Sequence, residues 1–139
     1  VDFFQELARR MKASPAEFEK LGFCDTVMGV KVTGSNPHLY SLHFDVFECS
    51  DVREISNPSG AGFDFTLEAP LALWKEMFEV IQQGGGQPTP AYTLNSLSHV
   101  GDRMKVVYDD PEGHDKFYRF MATIQAFVNQ AADLKIEWA

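Results

Sequence analysis

A change of hydrophobic period partway along the chain limits its fold more than any other feature. Thr26, Met28, Val30 and Val32 alternate with Asp25, Gly29 and Lys31, and Tyr40, Leu42, Phe44 and Val46 alternate with Ser41, His43 and Asp45. A period of two places one face of an extended strand on a core and leaves the other facing water. Gly34-Ser35-Asn36-Pro37 supplies turn residues between the two runs, so they read as an antiparallel hairpin. Val52 to Ile55 is a weaker strand, and Phe63, Phe65 and Leu67 alternating with Asp64, Thr66 and Glu68 form a stronger one. The loop 57–62 is read as a hairpin connection between them. Met104, Val106 and Tyr108 alternate as a last short strand.

On either side of these strands the apolar residues recur every three or four positions, the spacing of one helical face. Phe3, Phe4, Leu7, Ala8 and Met11 define a first helix ending near Ala13. Ser14-Pro15-Ala16-Glu17 reads as a capping box opening a short second helix that Gly22 ends. Pro70 opens a helix carrying Leu71, Trp74, Met77, Phe78 and Ile81, which Gly84-Gly85-Gly86 terminates. Thr89-Pro90 caps another, with Leu94, Leu97 and Val100 on one side and Gly101 at its end. Asp110-Pro111 begins the longest helix, whose inner face is Phe117, Phe120, Met121, Ile124, Phe127 and Val128. Helices, then strands, then helix-strand-helix predicts one α+β domain over residues 1–139, with helices packed on an antiparallel-rich sheet.

The 20 acidic against 12 basic residues give a net charge of -8, which argues against nucleic-acid binding, because phosphate contacts need a basic footprint. An anionic membrane surface is disfavoured for the same reason, and no apolar run reaches the length of a bilayer span, so stable membrane insertion is not expected. Cys24 and Cys49 form no CxxC or Cys/His ligand pattern, so zinc and redox motifs are absent and buried, reduced thiols in a cytoplasmic protein are expected. No metal or cofactor is called for.

Catalytic signals are thin. The triple glycine lacks the lysine and Ser/Thr of a phosphate loop and ends a helix instead of starting one. His38, His43, His99 and His114 are scattered without ligand spacing. His43 and Asp45 share one strand face, where a carboxylate can orient an imidazole, and they define an alternative: a small isomerase or hydrolase acting on a hydrophobic substrate, with this pair as its base. Asp109, Asp110, Glu112 and Asp115 surround a helix start, where the helix dipole explains their charge.

Two strings resemble a known family. Phe63-Asp64-Phe65-Thr66-Leu67, followed after Glu68-Ala69-Pro70 by a helix bearing Trp74, is similar to the strand-then-helix signature of the sterol carrier protein type 2 (SCP2-like) domains. Met104-Lys105-Val106-Val107-Tyr108-Asp109-Asp110 resembles that family's last strand running into the terminal helix. Asp109 stands where the family usually has glycine, and Pro111-Glu112-Gly113 is inserted, so this turn must be built differently. The likeness spans residues 20 to 131. It implies a five-stranded, mostly antiparallel sheet with helices on one face around a hydrophobic tunnel that takes fatty acyl chains, acyl-CoA or sterols without catalysis. Pocket positions transfer as inward faces of matching elements. These are Phe65 and Leu67 on the strand, Trp74 and Phe78 on the helix after it, Leu94 and Leu97 on the next, Met104 and Val106 on the last strand, and Phe120, Met121, Ile124 and Phe127 on the terminal helix. The expected partner is therefore an apolar small molecule, and the expected assembly a monomer or weak homodimer.

Beyond the terminal helix, Leu134, Ile136 and Trp138 alternate with Lys135 and Glu137. Three large apolar groups on one face fit either an added edge strand or a cover laid over an apolar opening, in this chain or a neighbouring copy, and the cover is the expectation, because an apolar tunnel needs one when empty and a terminus moves most easily.

Overall fold

A computed structural model describes residues 3–99, 101 and 103–136. Val100, Glu137 and Trp138, named above from their periodicity, lie outside the described residues.

The two alternating runs form β1 (Cys24–Thr33) and β2 (His38–Val46), antiparallel, with Cys24 opposite Val46 and Val32 opposite His38. β3 (Glu48–Glu54) returns along β2 after a two-residue turn, with a bulge between His43 and Phe44. It starts earlier than the run Val52 to Ile55 suggests, because its first half carries only Cys49 on the buried face and so lacks an apolar alternation. β4 (Phe65–Pro70) pairs parallel to β1, and β5 (Lys105–Val107) pairs antiparallel to β4. The order β3-β2-β1-β4-β5 makes a five-stranded mixed sheet in which three of four pairings are antiparallel.

This order corrects the hairpin reading of residues 57–62. β3 and β4 lie on opposite sides of the β1–β2 pair, so their connection has to cross the sheet. It does so on the outer face, where Asn57, Ser59 and Gly60 share a cleft with Val27, Ser41 and His43. Phe63 also leaves the alternation: its ring lies over Gly29, where a Cβ would come within 3.2 Å of Phe63 Cε2 and 2.6 Å of Thr66 Oγ1.

Helices cover the opposite, inner face, onto which Met28, Val30, Tyr40, Leu42, Phe44, Phe65 and Leu67 project as buried side chains. They are α1 (Phe3–Lys12), α2 (Pro15–Glu19), α3 (Leu71–Gln83), α4 (Leu94–His99), α5 (Pro111–Arg119) and α6 (Met121–Asn129). Ser14 precedes α2 without a side-chain cap, so the expected capping box does not form, and the first turn is closed by Glu17 N donating to the Ser14 carbonyl at 3.3 Å. α4 is capped by Thr93, whose hydroxyl accepts from Ser96 N at 3.2 Å, while Pro90–Tyr92 forms a separate 3-10 turn after Thr89.

The single long terminal helix is in fact two. Phe120 adopts φ -105°, ψ 9° between α5 and α6, and its ring stays buried through the break. The apolar stripe continues across it, which is why periodicity alone reads one helix.

The inserted Pro111-Glu112-Gly113 starts α5. Asp110 caps it by accepting from Glu112 N at 3.0 Å, Pro111 occupies the first turn, and Gly113 lets the helix backbone approach the Asp64 carbonyl so closely that a Cβ would fall 1.8 Å from it. Asp64 then ties three elements together, its carboxylate accepting from Thr26 Oγ1 (2.8 Å), Val27 N (2.9 Å) and Lys116 Nζ (3.3 Å).

Candidate functional site

All twelve predicted pocket residues fall in or against one apolar cluster between the sheet and the helices. Phe65 and Leu67 project from β4, Trp74 and Phe78 from α3, and Leu94 and Leu97 from α4, all buried. Met104 is buried just before β5, and Val106 within β5 is half-buried. Phe120, Ile124 and Phe127 are buried, whereas Met121 is half-buried at the cluster's margin.

The cluster is closely filled by rings. Phe44 meets Phe127 edge-on at 5.2 Å, Phe65 meets Phe117 at 5.4 Å and Phe3 meets Phe78 at 5.2 Å. Trp74 is fixed by its indole N–H, which donates to the carbonyls of Ala69 (3.1 Å) and Lys31 (3.2 Å). Trp74 thus locks α3 to the ends of β4 and β1 and anchors one wall of the interior.

A cleft of about 550 Å³ reaches this interior from the surface. Its floor is Met104 and Val106, and five consecutive residues, Met104 to Tyr108, line it. Successive side chains of an extended segment point to opposite faces, so a cleft touching all five follows the strand's backbone edge. β5 is an edge strand in the sheet order, which leaves that side open. The end of α4 (Ser98, His99) and one face of α5 (His114, Tyr118) form the walls.

These walls carry a connected set of rings. His114 lies between Tyr108 and Tyr118, with ring centroids 4.8 Å away on both sides. The Tyr118 hydroxyl donates to His99 Nε2 at 2.5 Å, and His99 Nδ1 donates to the Asn95 carbonyl at 2.8 Å. A carbonyl can only accept, so Nδ1 carries the proton and Nε2 is free to receive the phenol's. Sequence reasoning missed this group. The one local signal is the spacing of His114 and Tyr118, four residues apart and so on one helical face.

The alternative base pair is less well assembled. His43 and Asp45 are both exposed on the outer face, as the alternation predicts, yet among the described residues no hydrogen bond joins them. The histidine's carbonyl accepts from Ser50 Oγ instead. His38 belongs to β2 and pairs through Nδ1 with Glu54. Cys24 and Cys49 are buried free thiols, and burial pushes both up to about 12, which leaves them protonated and poorly nucleophilic. Among the described residues no group of three or more His, Cys, Asp or Glu is placed to hold a metal ion, and no helix is long and apolar enough to cross a membrane.

The predicted tail packs inward over its described length. Leu134 and Ile136 lie half-buried against the cluster without forming a strand. The Leu134 carbonyl accepts from Gln82 Nε2 at 2.6 Å, and Asp133 pairs with Arg10 at 2.5 Å. None of these residues lines the β5 cleft.

No family model matches the chain, and no curated protein is significantly similar to it in sequence. Solved structures are similar in fold. A solution structure of a conserved hypothetical protein from Thermus thermophilus, described as possibly a sterol carrier protein, superposes with a TM-score of 0.66 at 17% identity, covering 96% of this chain and 88% of that one. A crystal structure of sterol carrier protein 2 gives a TM-score of 0.61 at 16% identity, covering 95% of each chain. The fold is therefore SCP2-like along nearly its whole length.

Proposed function

We propose that this SCP2-like chain is a non-catalytic carrier that takes an apolar ligand, a fatty acyl chain, acyl-CoA or sterol-like lipid, into a hydrophobic tunnel between its sheet and its helices. One observation carries the reading: in a fold shared with a sterol carrier protein, a surface cleft is floored by two members of the apolar interior, Met104 and Val106. The twelve inward residues named from the sequence are the proposed ligand-binding set. The interior is filled by side chains, so a ligand has to displace some of them. Met104, unbranched and at the cleft floor, is the side chain best suited to yield.

The energetics are adequate. Each buried methylene contributes about 0.8 kcal/mol, so a chain of roughly 10–16 carbons offsets the several kcal/mol lost in immobilising it and in moving Met104 aside. Native mass spectrometry of protein purified without detergent is expected to reveal a co-purified lipid, and unlabelled lipids are expected to displace a fluorescent fatty acid saturably. Neither a bound lipid nor saturable displacement would remove the carrier reading.

A further inference from the structure

We infer that the open edge of β5 is a self-association surface, on which a second copy of this chain adds its own β5 antiparallel about a two-fold axis at Val107.

The two edges of the sheet are managed differently. β3, at one edge, carries Glu48, Asp51, Arg53 and Glu54 among its seven residues, and α1 packs against it. Charged side chains and a covering helix are what keep an edge from pairing with another strand. β5, at the other edge, has only Lys105 beside Val106 and Val107, and its side is open along the cleft. Three of the six exposed large hydrophobic side chains among the described residues, Val107, Tyr108 and Tyr118, line that cleft.

Backbone groups face this edge. Met104 N donates to the Leu97 carbonyl at 3.0 Å and so points away from β4. Amides alternate sides along an extended chain, so those of Lys105 and Val107 pair with β4, while Val106 and Tyr108 turn their N–H and C=O groups outward.

Charge decides the partner. On the outer face Lys31 of β1 stands opposite Glu68 of β4, with 3.3 Å between Nζ and Oε1, and Glu68 stands opposite Lys105 of β5. The row reads plus, minus, plus, and its last cation lies at the open edge, sharing one carboxylate with Lys31. The next place in the row, on an added strand, calls for a carboxylate. This chain's own β5 segment supplies it. In an antiparallel pair about a two-fold axis at Val107, Lys105 lies opposite the partner's Asp109, and by symmetry Asp109 lies opposite the partner's Lys105. Val107 meets its own counterpart with Cα atoms about 4.5 Å apart, and Val106 exchanges both backbone hydrogen bonds with the partner's Tyr108. An axis at Val106 would set Arg103 opposite the partner's Asp109, but Glu76 already holds Arg103 at 3.2 Å, and that register needs the Met104 amide that Leu97 holds.

The pairing does not rest on the carrier reading. It bears on that reading, because the partner's strand lies along the cleft floored by Met104 and Val106, which is then open in the monomer and covered in the dimer.

Sedimentation equilibrium of the full chain over a concentration series tests this. The native chain is expected to pass from one to two chain masses, with hydrogen exchange slowing at the Val106 and Tyr108 amides in the dimer. Val107→Lys, at an exposed position, sets two lysines face to face on the axis while lowering the net negative charge, and is expected to abolish the dimer without loss of thermal stability. Asp109→Lys turns two attractive pairs into repulsive ones and is expected to weaken the dimer about tenfold. An equal mixture of Asp109→Lys and Lys105→Glu is expected to associate as the native chain does, because both cross-strand pairs are again opposite in sign. A native chain that stays monomeric at every concentration overturns the self-pairing and leaves the edge to an extended peptide of another protein. A dimer indifferent to Val107→Lys and Asp109→Lys, or a mixture that associates no better than its components, overturns the assignment to β5 in this register.

Discussion

Val46 is the one described non-glycine residue with positive φ, 59°, and it is β-branched and 48% exposed at the two-residue turn between β2 and β3. Such a side chain resists that conformation, which glycine adopts freely. Val46→Gly is expected to raise stability by about 1 kcal/mol, read as a higher urea midpoint at unchanged slope. Gly113 has the opposite logic, since a Cβ there meets a backbone carbonyl that has no room to move. Gly113→Ala is expected to lose about 1–3 kcal/mol, as overpacking does. The neighbouring carboxyl of Asp64 links stability to pH. Burial alone would push it up, but the Val27 amide, the Thr26 hydroxyl and Lys116 together hold it below its ordinary value of 3.8. A carboxyl depressed in the folded state contributes stability that is present above its unfolded pKa and is lost as pH falls through the folded one. Acid titration of the urea midpoint below pH 3.8 should therefore fall less steeply for Asp64→Asn than for the native chain, from a lower starting stability. Parallel curves would mean that Asp64 does not carry this linkage.

At the level of elements, what could be read in advance follows from which interactions are local. β1 and β2 are legible because Met28, Val30, Leu42 and Phe44 face one core and a period of two admits no other face. α3 is legible from Trp74, Met77, Phe78 and Ile81, and its glycine terminator closes with Gly86 N donating to Ile81 O at 2.9 Å. The parallel β1–β4 pairing is not legible, because the loop 57–62 has the composition of a hairpin and nothing local states how far it travels. The break at Phe120 is hidden for a similar reason, as the stripe from Phe117 to Phe127 is continuous in sequence. The apolar cluster behind the β5 cleft is legible from these same stripes. The polar wall of the cleft is not legible, since His99, His114 and Tyr118 match no ligand or catalytic spacing and meet only when α4 and α5 are folded together. The tail makes a prediction at this scale. Leu134 and Ile136 are half-buried, and Arg10 and Gln82 hold the segment before them. Deleting residues 133–139 is expected to destabilise the fold by about 1–3 kcal/mol through lost apolar burial. Faster release of bound lipid with an unchanged melting temperature would instead identify the tail as a cover.

Across the whole molecule, the central tension is that a carrier needs room while this interior is filled by Phe, Leu and Met side chains. On the proposed carrier reading, opening space on demand is the physical resolution, and Met104 is the place to test it, because it both lines the β5 cleft and is buried in the cluster. Met104→Ala removes that partition in advance. The unliganded variant is expected to be less stable by about 2–5 kcal/mol, the usual cost of truncating a buried methionine. A ligand that binds only the folded state stabilises it by about 2.7 kcal/mol at a hundred times its Kd, so the rise in melting temperature on adding dodecanoic acid measures affinity in both proteins. If the acyl chain passes Met104 into the interior, it fills the new cavity, and the rise should be larger in Met104→Ala than in the native chain at the same ligand concentration. If the chain stays in the cleft or binds elsewhere, the cavity is irrelevant to it and the two increments should be equal. A smaller rise in the variant would place the methionine side chain itself among the ligand's contacts, and the route into the interior would then have to lie elsewhere.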